Sequence, residues 1–365
     1  MKTSTPLVRH ALAAAALSVL VGGTSARAQD APFTVGTASA PRGAVAYGEL
    51  KVPVGSDAGS TISIAIVNGA KPGPVVAFVA GSHGTEYASI VALTRLTSRI
   101  DAKTLAGTVI IAPLLNVASF EQMIVHTNPV DKKGMNANYP GSPSGTQSER
   151  ALALVTDQIV KPSSVVIDLH GGDMDEDLRP YSYWIRTGDA AQDQASRNLV
   201  EAFGLDHVIL RDIDVANPAS IRSLSGYALA QGKTAIVAEA GRSGLVLPED
   251  VQALIEGSLN VLSSLKMIAR PATKRANPLV FVASGSRVAT EAAGMFYARA
   301  KRGAIVKEGE VIGETTDYVG RPAAEIKSPV TGLITFIRGV PSMWRGATLA
   351  NVSPVLATVP PYKKP

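Results

Sequence analysis

The chain has 365 residues, 46% of them hydrophobic and 18% charged, enough to bury one large core or two smaller ones. It contains no cysteine, which excludes disulfides, a thiol nucleophile and any thiolate metal site. The net charge is +5, but Lys2, Arg9 and Arg27 lie at the extreme N-terminus, and the remainder is too small and scattered to indicate nucleic acid as a partner. Residues 1–28 read as a secretory signal. Lys2, Arg9 and His10 form a basic start, residues 11–21 an apolar stretch too short to span a bilayer, and Ala26-Arg27-Ala28 a small-x-small cleavage site. No Cys follows to carry a lipid. The processed chain is therefore expected to be soluble, periplasmic or secreted, and without a membrane anchor.

Residues 29–45 read as an irregular lead-in. Residues 48–54 and 61–67 alternate apolar and polar side chains, as paired strands at a sheet edge do. Residues 74–78 form an apolar run between Gly73 and Gly81, and residues 88–96 then place Ile90, Leu93 and Leu96 at helical spacing. Further buried strands are expected at 108–113, 164–169 and 234–238, with helical patterns at 147–160, 190–203 and 248–267. Strands alternating with helices predict a layered α/β sheet. Between them lie a long, turn-rich segment at 120–148 and an acidic loop at 171–180 carrying Asp173, Asp175, Glu176 and Asp177. A basic, proline-bearing linker at 269–278 closes this region. Beyond it, short apolar runs broken by glycine predict an all-β segment.

Three strand ends carry the chemistry. His83 and Glu86 stand in Gly81-Ser82-His83-Gly84-Thr85-Glu86, at a strand-to-helix switch where side chains converge at the carboxyl end of a sheet. Imidazole and carboxylate three residues apart can point at one ion, and both are zinc ligands. Alone this H-x-x-E is a weak signal. It gains weight from His170 beside Gly171-Gly172 at the second strand end, and from Glu239 at the third. The segments 81–86, 167–173 (Ile-Asp-Leu-His-Gly-Gly-Asp) and 237–241 (Val-Ala-Glu-Ala-Gly) resemble the succinylglutamate desuccinylase/aspartoacylase family, a branch of the zinc carboxypeptidase-like hydrolases. The resemblance covers most of the chain. It implies a three-layer α/β/α mixed sheet of zinc carboxypeptidase type over 29–270, followed by a small barrel-sandwich domain of biotinyl/lipoyl type over 271–365. Ser328-Pro329-Val330-Thr331-Gly332 is similar to a turn such domains share, but residues 317–322 contain no lysine. No carried cofactor is expected there, and the segment is assigned a shaping or oligomerisation role, with a homo-oligomer left open.

The resemblance also implies roles. His83, Glu86 and His170 are expected to bind one Zn²⁺ and leave a fourth position for water, with Glu239 as general base. Asp168, two residues before His170 and on the same face, is a candidate acceptor for the ligand imidazole, or else pairs with a buried base elsewhere. The family's Asp-Leu-Asn-Arg-x-Phe-Pro-Gly is here Gly134-Met135-Asn136-Ala137-Asn138-Tyr139-Pro140-Gly141, so Ala137 replaces the arginine that grips a substrate carboxylate. Asn136 remains a substrate hydrogen-bonder, and His126 lies near where a carbonyl-polarising arginine is expected. Arg179, Arg222 and Arg242 are candidates for a relocated clamp. His207, Tyr183 and Trp184 read as packing residues, and Arg150 as a structural ion pair at a helix start. The function expected is a zinc-dependent deacylase acting on an N-acyl amino acid or related small amide. One alternative is a periplasmic metallocarboxypeptidase or peptidoglycan-peptide hydrolase, favoured by export but not by Ala137. Another is a catalytically inactive binding or scaffold protein, against which the retained His83, Glu86, His170 and Glu239 argue.

Overall fold

The computed structural model describes Met1, residues 31–271, Thr273 and residues 277–365; the secretory segment read over 1–28 lies, Met1 aside, outside the described residues. Strands β1 (Phe33–Val35) and β2 (Ala38–Ala40) pair as a short antiparallel ribbon. Strand β3 (Ala44–Val52) alternates exposed and partly buried residues over most of its length, as an edge does, and pairs antiparallel with β4 (Ser60–Asn68). The apolar runs form β5 (Lys71–Val79), β6 (Ala106–Ala112) and β7 (Val165–His170). β6 and β7 are buried almost throughout, because helices cover both faces of the sheet. After β8 (Glu176–Leu178) come β9 (Tyr181–Arg186), β10 (His207–Asp212), β11 (Thr234–Glu239) and β12 (Val280–Val282).

Among the described residues, nine strands form one mixed sheet in the order β12-β10-β9-β11-β7-β5-β6-β4-β3. Helices α1 (Tyr87–Leu96), α2 (Val117–Gln122), α3 (Gln147–Val155), α4 (Ala190–Phe203), α5 (Leu224–Ala230) and α6 (Pro248–Ser264) connect them. Leu93 of α1, Phe203 of α4 and Leu254 of α6 share a core with Phe78 and Ile167 on one face of the sheet. On the other face, Leu152 of α3 and Ala228 of α5 pack with Val79, Val166 and Val237. The result is the three-layer α/β/α arrangement expected.

Strands β13 (Ser286–Ala289), β14 (Gly294–Ala298), β15 (Ile305–Val306), β16 (Val311–Thr316), β17 (Pro322–Lys327), β18 (Gly332–Arg338), β19 (Ser342–Met343) and β20 (Thr348–Ser353) follow. They make two antiparallel sheets, β13-β20-β18-β15 and β17-β16-β14-β19, around a shared core of Phe296, Ile312, Ile334 and Val352. Two connections join this sandwich to the large sheet. β8 leaves the acidic loop to pair with β18, Leu178 opposite Phe336, and β12 returns past the linker to pair with β10. Pro32–Pro365 consequently form one compact unit.

Candidate active site

The turn after β5 requires glycine. Gly81 has φ +68°, and a Cβ there would meet the Leu114 Cα at 2.8 Å. A Cβ on Gly84 would meet the Phe120 backbone nitrogen at 2.3 Å. Gly84 N–H donates to Ser119 Oγ at 3.0 Å, and Asn116 N–H donates to the Gly81 carbonyl at 2.8 Å. Packed this tightly on α2, the turn holds His83 and places Glu86 at the start of α1.

Glu86 then joins two strand ends. Its Oε1 lies 2.6 Å from His83 Nδ1 and its Oε2 2.9 Å from His170 Nδ1, while Gly171 N–H donates to Oε2 at 3.2 Å. Burial raises the Glu86 carboxyl pKa, but the charges of His170 and His83 outweigh it and hold that group well below the usual range. Burial opposes charge on His170, yet Glu86 and Asp168 raise its pKa well above the ordinary value. Asp168 Oδ1 lies 3.2 Å from His170 Nε2, and the fully buried Asp168 carboxylate meets no other hydrogen-bond donor among the described residues. A proton on Nε2 directed at Asp168 leaves the Nδ1 lone pair free toward Glu86 and His83. Donor atoms of His83, Glu86 and His170 all lie within 4.8 Å of one another. Two imidazole nitrogens and a carboxylate oxygen so arranged fit a divalent cation such as Zn²⁺.

Glu239 sits directly across from His170, because β11 pairs with β7 in that register. Tyr181 O–H donates to its Oε2 at 3.0 Å. Burial pushes the Glu239 carboxyl up to about 7, opposed by His170 and assisted by the negative charge of Glu86. These groups face a cavity of about 240 Å³. Phe336 and Asn351 of the C-terminal sandwich form part of its wall.

Of the residues expected near the substrate, two reach the cavity and two do not. Asn136 Nδ2 lies 3.3 Å from His170 Nε2, and its Oδ1 accepts from Leu224 N–H at 3.1 Å. His126 lines the cavity with its ring 5.4 Å from that of His83 and its Nδ1 3.1 Å from Asp173 Oδ2. Arg179 turns away to Asp206 at 2.6 Å, and Arg242 lies 3.7 Å from Glu249. Arg222 donates to Asn138 Oδ1 at 3.1 Å. None of these three arginines lines the cavity. Arg150 is buried and pairs with Asp57 at 2.7 Å, as its structural reading required. Trp184 enters the core, but Tyr183 lines the cavity, a correction that follows from neighbouring strand residues facing opposite ways. Glu176 of the acidic loop also lines the cavity, as do Tyr181 and Arg211, which motif reading missed. Extending the Tyr183 alternation along β9 and across to β10 identifies Tyr181 and Arg211.

Residues 72–265, more than half the chain, match the model of the succinylglutamate desuccinylase/aspartoacylase catalytic domain. The chain belongs to the succinylglutamate desuccinylase/aspartoacylase family. A relative in Halomonas elongata, an N-alpha-acetyl-L-2,4-diaminobutyric acid deacetylase, is 26% identical over 327 residues, which span 86% of this chain and 93% of that protein. A succinylglutamate desuccinylase structure from Silicibacter sp. TM1040 superposes with a TM-score of 0.77 at 21% identity, covering 86% of this chain and 95% of that one. The product-bound ectoine utilization protein EutE (DoeB) from Ruegeria pomeroyi gives 0.77 at 22% identity, covering 85% and 95%. Family members so described include deacetylases and desuccinylases, and their shared fold extends through the C-terminal sheets.

Proposed function

We propose that this family member is a zinc-dependent deacylase that cleaves the amide of an N-acyl amino acid or a related small amide. The observation that carries the reading is Glu239: a carboxyl group held at a pKa of about 7, opposite His170 and beside the His83/Glu86/His170 donor set. Those three residues would hold one Zn²⁺, which when bound supplies Lewis acidity and brings the pKa of a water to roughly 7. Glu239 accepts the proton of the attacking water and returns it to the leaving amine. Tyr181 fixes the carboxylate for that transfer through its O–H. Asp168 orients His170, and Asn136 and His126 offer hydrogen bonds to the substrate carbonyl or amide. The Halomonas relative, a deacetylase of an acylated amino acid, supports the same reaction class.

The test pairs zinc analysis with mass-spectrometric hydrolysis of N-acyl amino acids, short peptides and muropeptides. Glu239→Gln is expected to keep zinc and lose about 10²–10⁴-fold in kcat/KM. His170→Ala is expected to lose the metal. Near-normal turnover in Glu239→Gln sinks the mechanism, and cleavage restricted to peptides moves the protein to the carboxypeptidase reading. Export belongs to the same proposal; a full-length chain expressed in a bacterial host should appear in the periplasm, shortened by residues 1–28.

A further inference from the structure

We infer that Arg211 anchors the substrate through a carboxylate that lies several bonds from the scissile amide. This rests on the deacylase reading above and specifies its substrate. Arg211 is the sole lysine or arginine among the cavity-lining residues, and its exposed side chain has no hydrogen bond or ion pair among the described residues. Every other candidate clamp is engaged elsewhere: Arg179 by Asp206, Arg222 by Asn138 and Arg242 near Glu249, while Ala137 offers no charge. Tyr183 lines the cavity between its two ends, two residues along β9 from Tyr181, which is level with Glu239, and two from Ile185, which is level with Arg211. A free guanidinium at one end and a cleavage centre at the other is the arrangement that reads a bifunctional molecule, the planar fork taking a carboxylate with two parallel hydrogen bonds.

Sheet register sets the length. Glu239 is level with Tyr181, and Arg211 is level with Ile185, four residues further along β9 and on the next strand out. At ~3.3 Å per residue and ~4.8 Å per strand, the two Cα atoms are roughly 16 Å apart. The two side chains stand off the same face of the sheet and close only part of this separation by leaning together, which leaves a gap longer than the ~4 Å spanned by three bonds of extended chain. An Nα-acyl amino acid, with three bonds from amide carbonyl carbon to carboxylate carbon, is short for this gap. A carboxylate on a longer amine, or at the far end of a longer acyl group, fits it.

A ladder of N-acetyl ω-amino acids from N-acetylglycine to N-acetyl-6-aminohexanoate measures the spacing, and N-succinyl, N-glutaryl and N-adipoyl amines place the carboxylate on the acyl side instead. Carboxamide-capped counterparts serve as controls for zinc-loaded wild type, Arg211→Ala and Arg211→Lys. The expected result is that kcat/KM in one of the two ladders peaks at four bonds or more; a peak at three bonds in both overturns the inference. Arg211→Ala should lose about 10- to 100-fold there, chiefly through KM, with no change on the capped compounds. Arg211→Lys should recover part of the loss. Equal cleavage of free and capped substrates by wild type, or equal loss on both in Arg211→Ala, overturns the inference and leaves the deacylase reading standing. Cleavage of no N-acyl compound by zinc-loaded wild type overturns both.

Discussion

A carboxylate serves as a base near neutral pH only where its surroundings hold its pKa close to that pH. Glu239 meets this condition because burial penalises its charge more than His170 relieves it, which brings the group to about 7. Its base form exists above that value, so kcat/KM should fall with a slope of one as pH drops through the group's pKa. A bound cation favours the ionised form, so the midpoint in the zinc-loaded enzyme belongs at or below about 7. A pH–rate profile on a non-ionising substrate checks this, and a rate that climbs as pH falls would contradict the assignment. The same group has a consequence for stability without metal. Folding raises its pKa from 4.5 to about 7, so its neutral form stabilises the fold at low pH and that contribution is lost as pH rises through this window. Metal-free Glu239→Gln should therefore gain in Tm relative to metal-free wild type as pH is raised from 4.5 to 7, and a pH-independent difference would show that the carboxyl is not shifted.

At the scale of elements, the site is a set of strand ends held by turns that tolerate no side chain. Gly84 is the sharpest case, with backbone atoms of both Phe120 and Asn116 inside 3 Å of any Cβ. Gly84→Ala should cost about 1–3 kcal/mol in chemical denaturation and weaken zinc binding, because the turn that moves carries His83 and Glu86. Unchanged stability would mean that α2 shifts freely to make room. The turns were legible in the sequence for a local reason: His83, Glu86, His170 and Glu239 each stand within three residues of a glycine at the end of an apolar run. Arg211 was not legible, because nothing beside it marks it; its role depends on β10 lying two strands from Glu239, a fact of sheet order rather than of neighbours in the chain. Tyr183 was misread for a related reason. An aromatic run on a strand signals burial, and only the phase of the alternation decides which ring meets the core and which meets the cavity.

On the scale of the whole molecule, the C-terminal sandwich completes the site rather than merely following it. The acidic loop after His170 is held from the far side. Arg338, buried at the end of β18, lies 2.8 Å from Asp175 Oδ2, and Arg302 lies 3.2 Å from Asp177. Gly339 N–H donates to the Asp175 carbonyl at 3.0 Å, and β8 is itself a strand of the C-terminal sheet. The contact between Asp175 and Arg338 spans more than 160 positions of sequence, which is why composition and spacing along the chain give no sign of it. Breaking it by removing one partner strands a charge in a buried place, a change that typically costs about 3–5 kcal/mol. Arg338→Gln should lose stability of that order while keeping its zinc, since His83, Glu86 and His170 lie outside the pair. Its KM should rise, because Phe336 stands on β18, the strand that loses its grip on the loop, and Asn351 stands on β20 paired to it. Asp175→Asn combined with Arg338→Gln should recover much of the stability, because the double change leaves no unpaired charge. If the single variant matched wild type in both denaturation midpoint and KM, the sandwich would be an appendage, and the cavity wall it supplies would have no part in holding substrate.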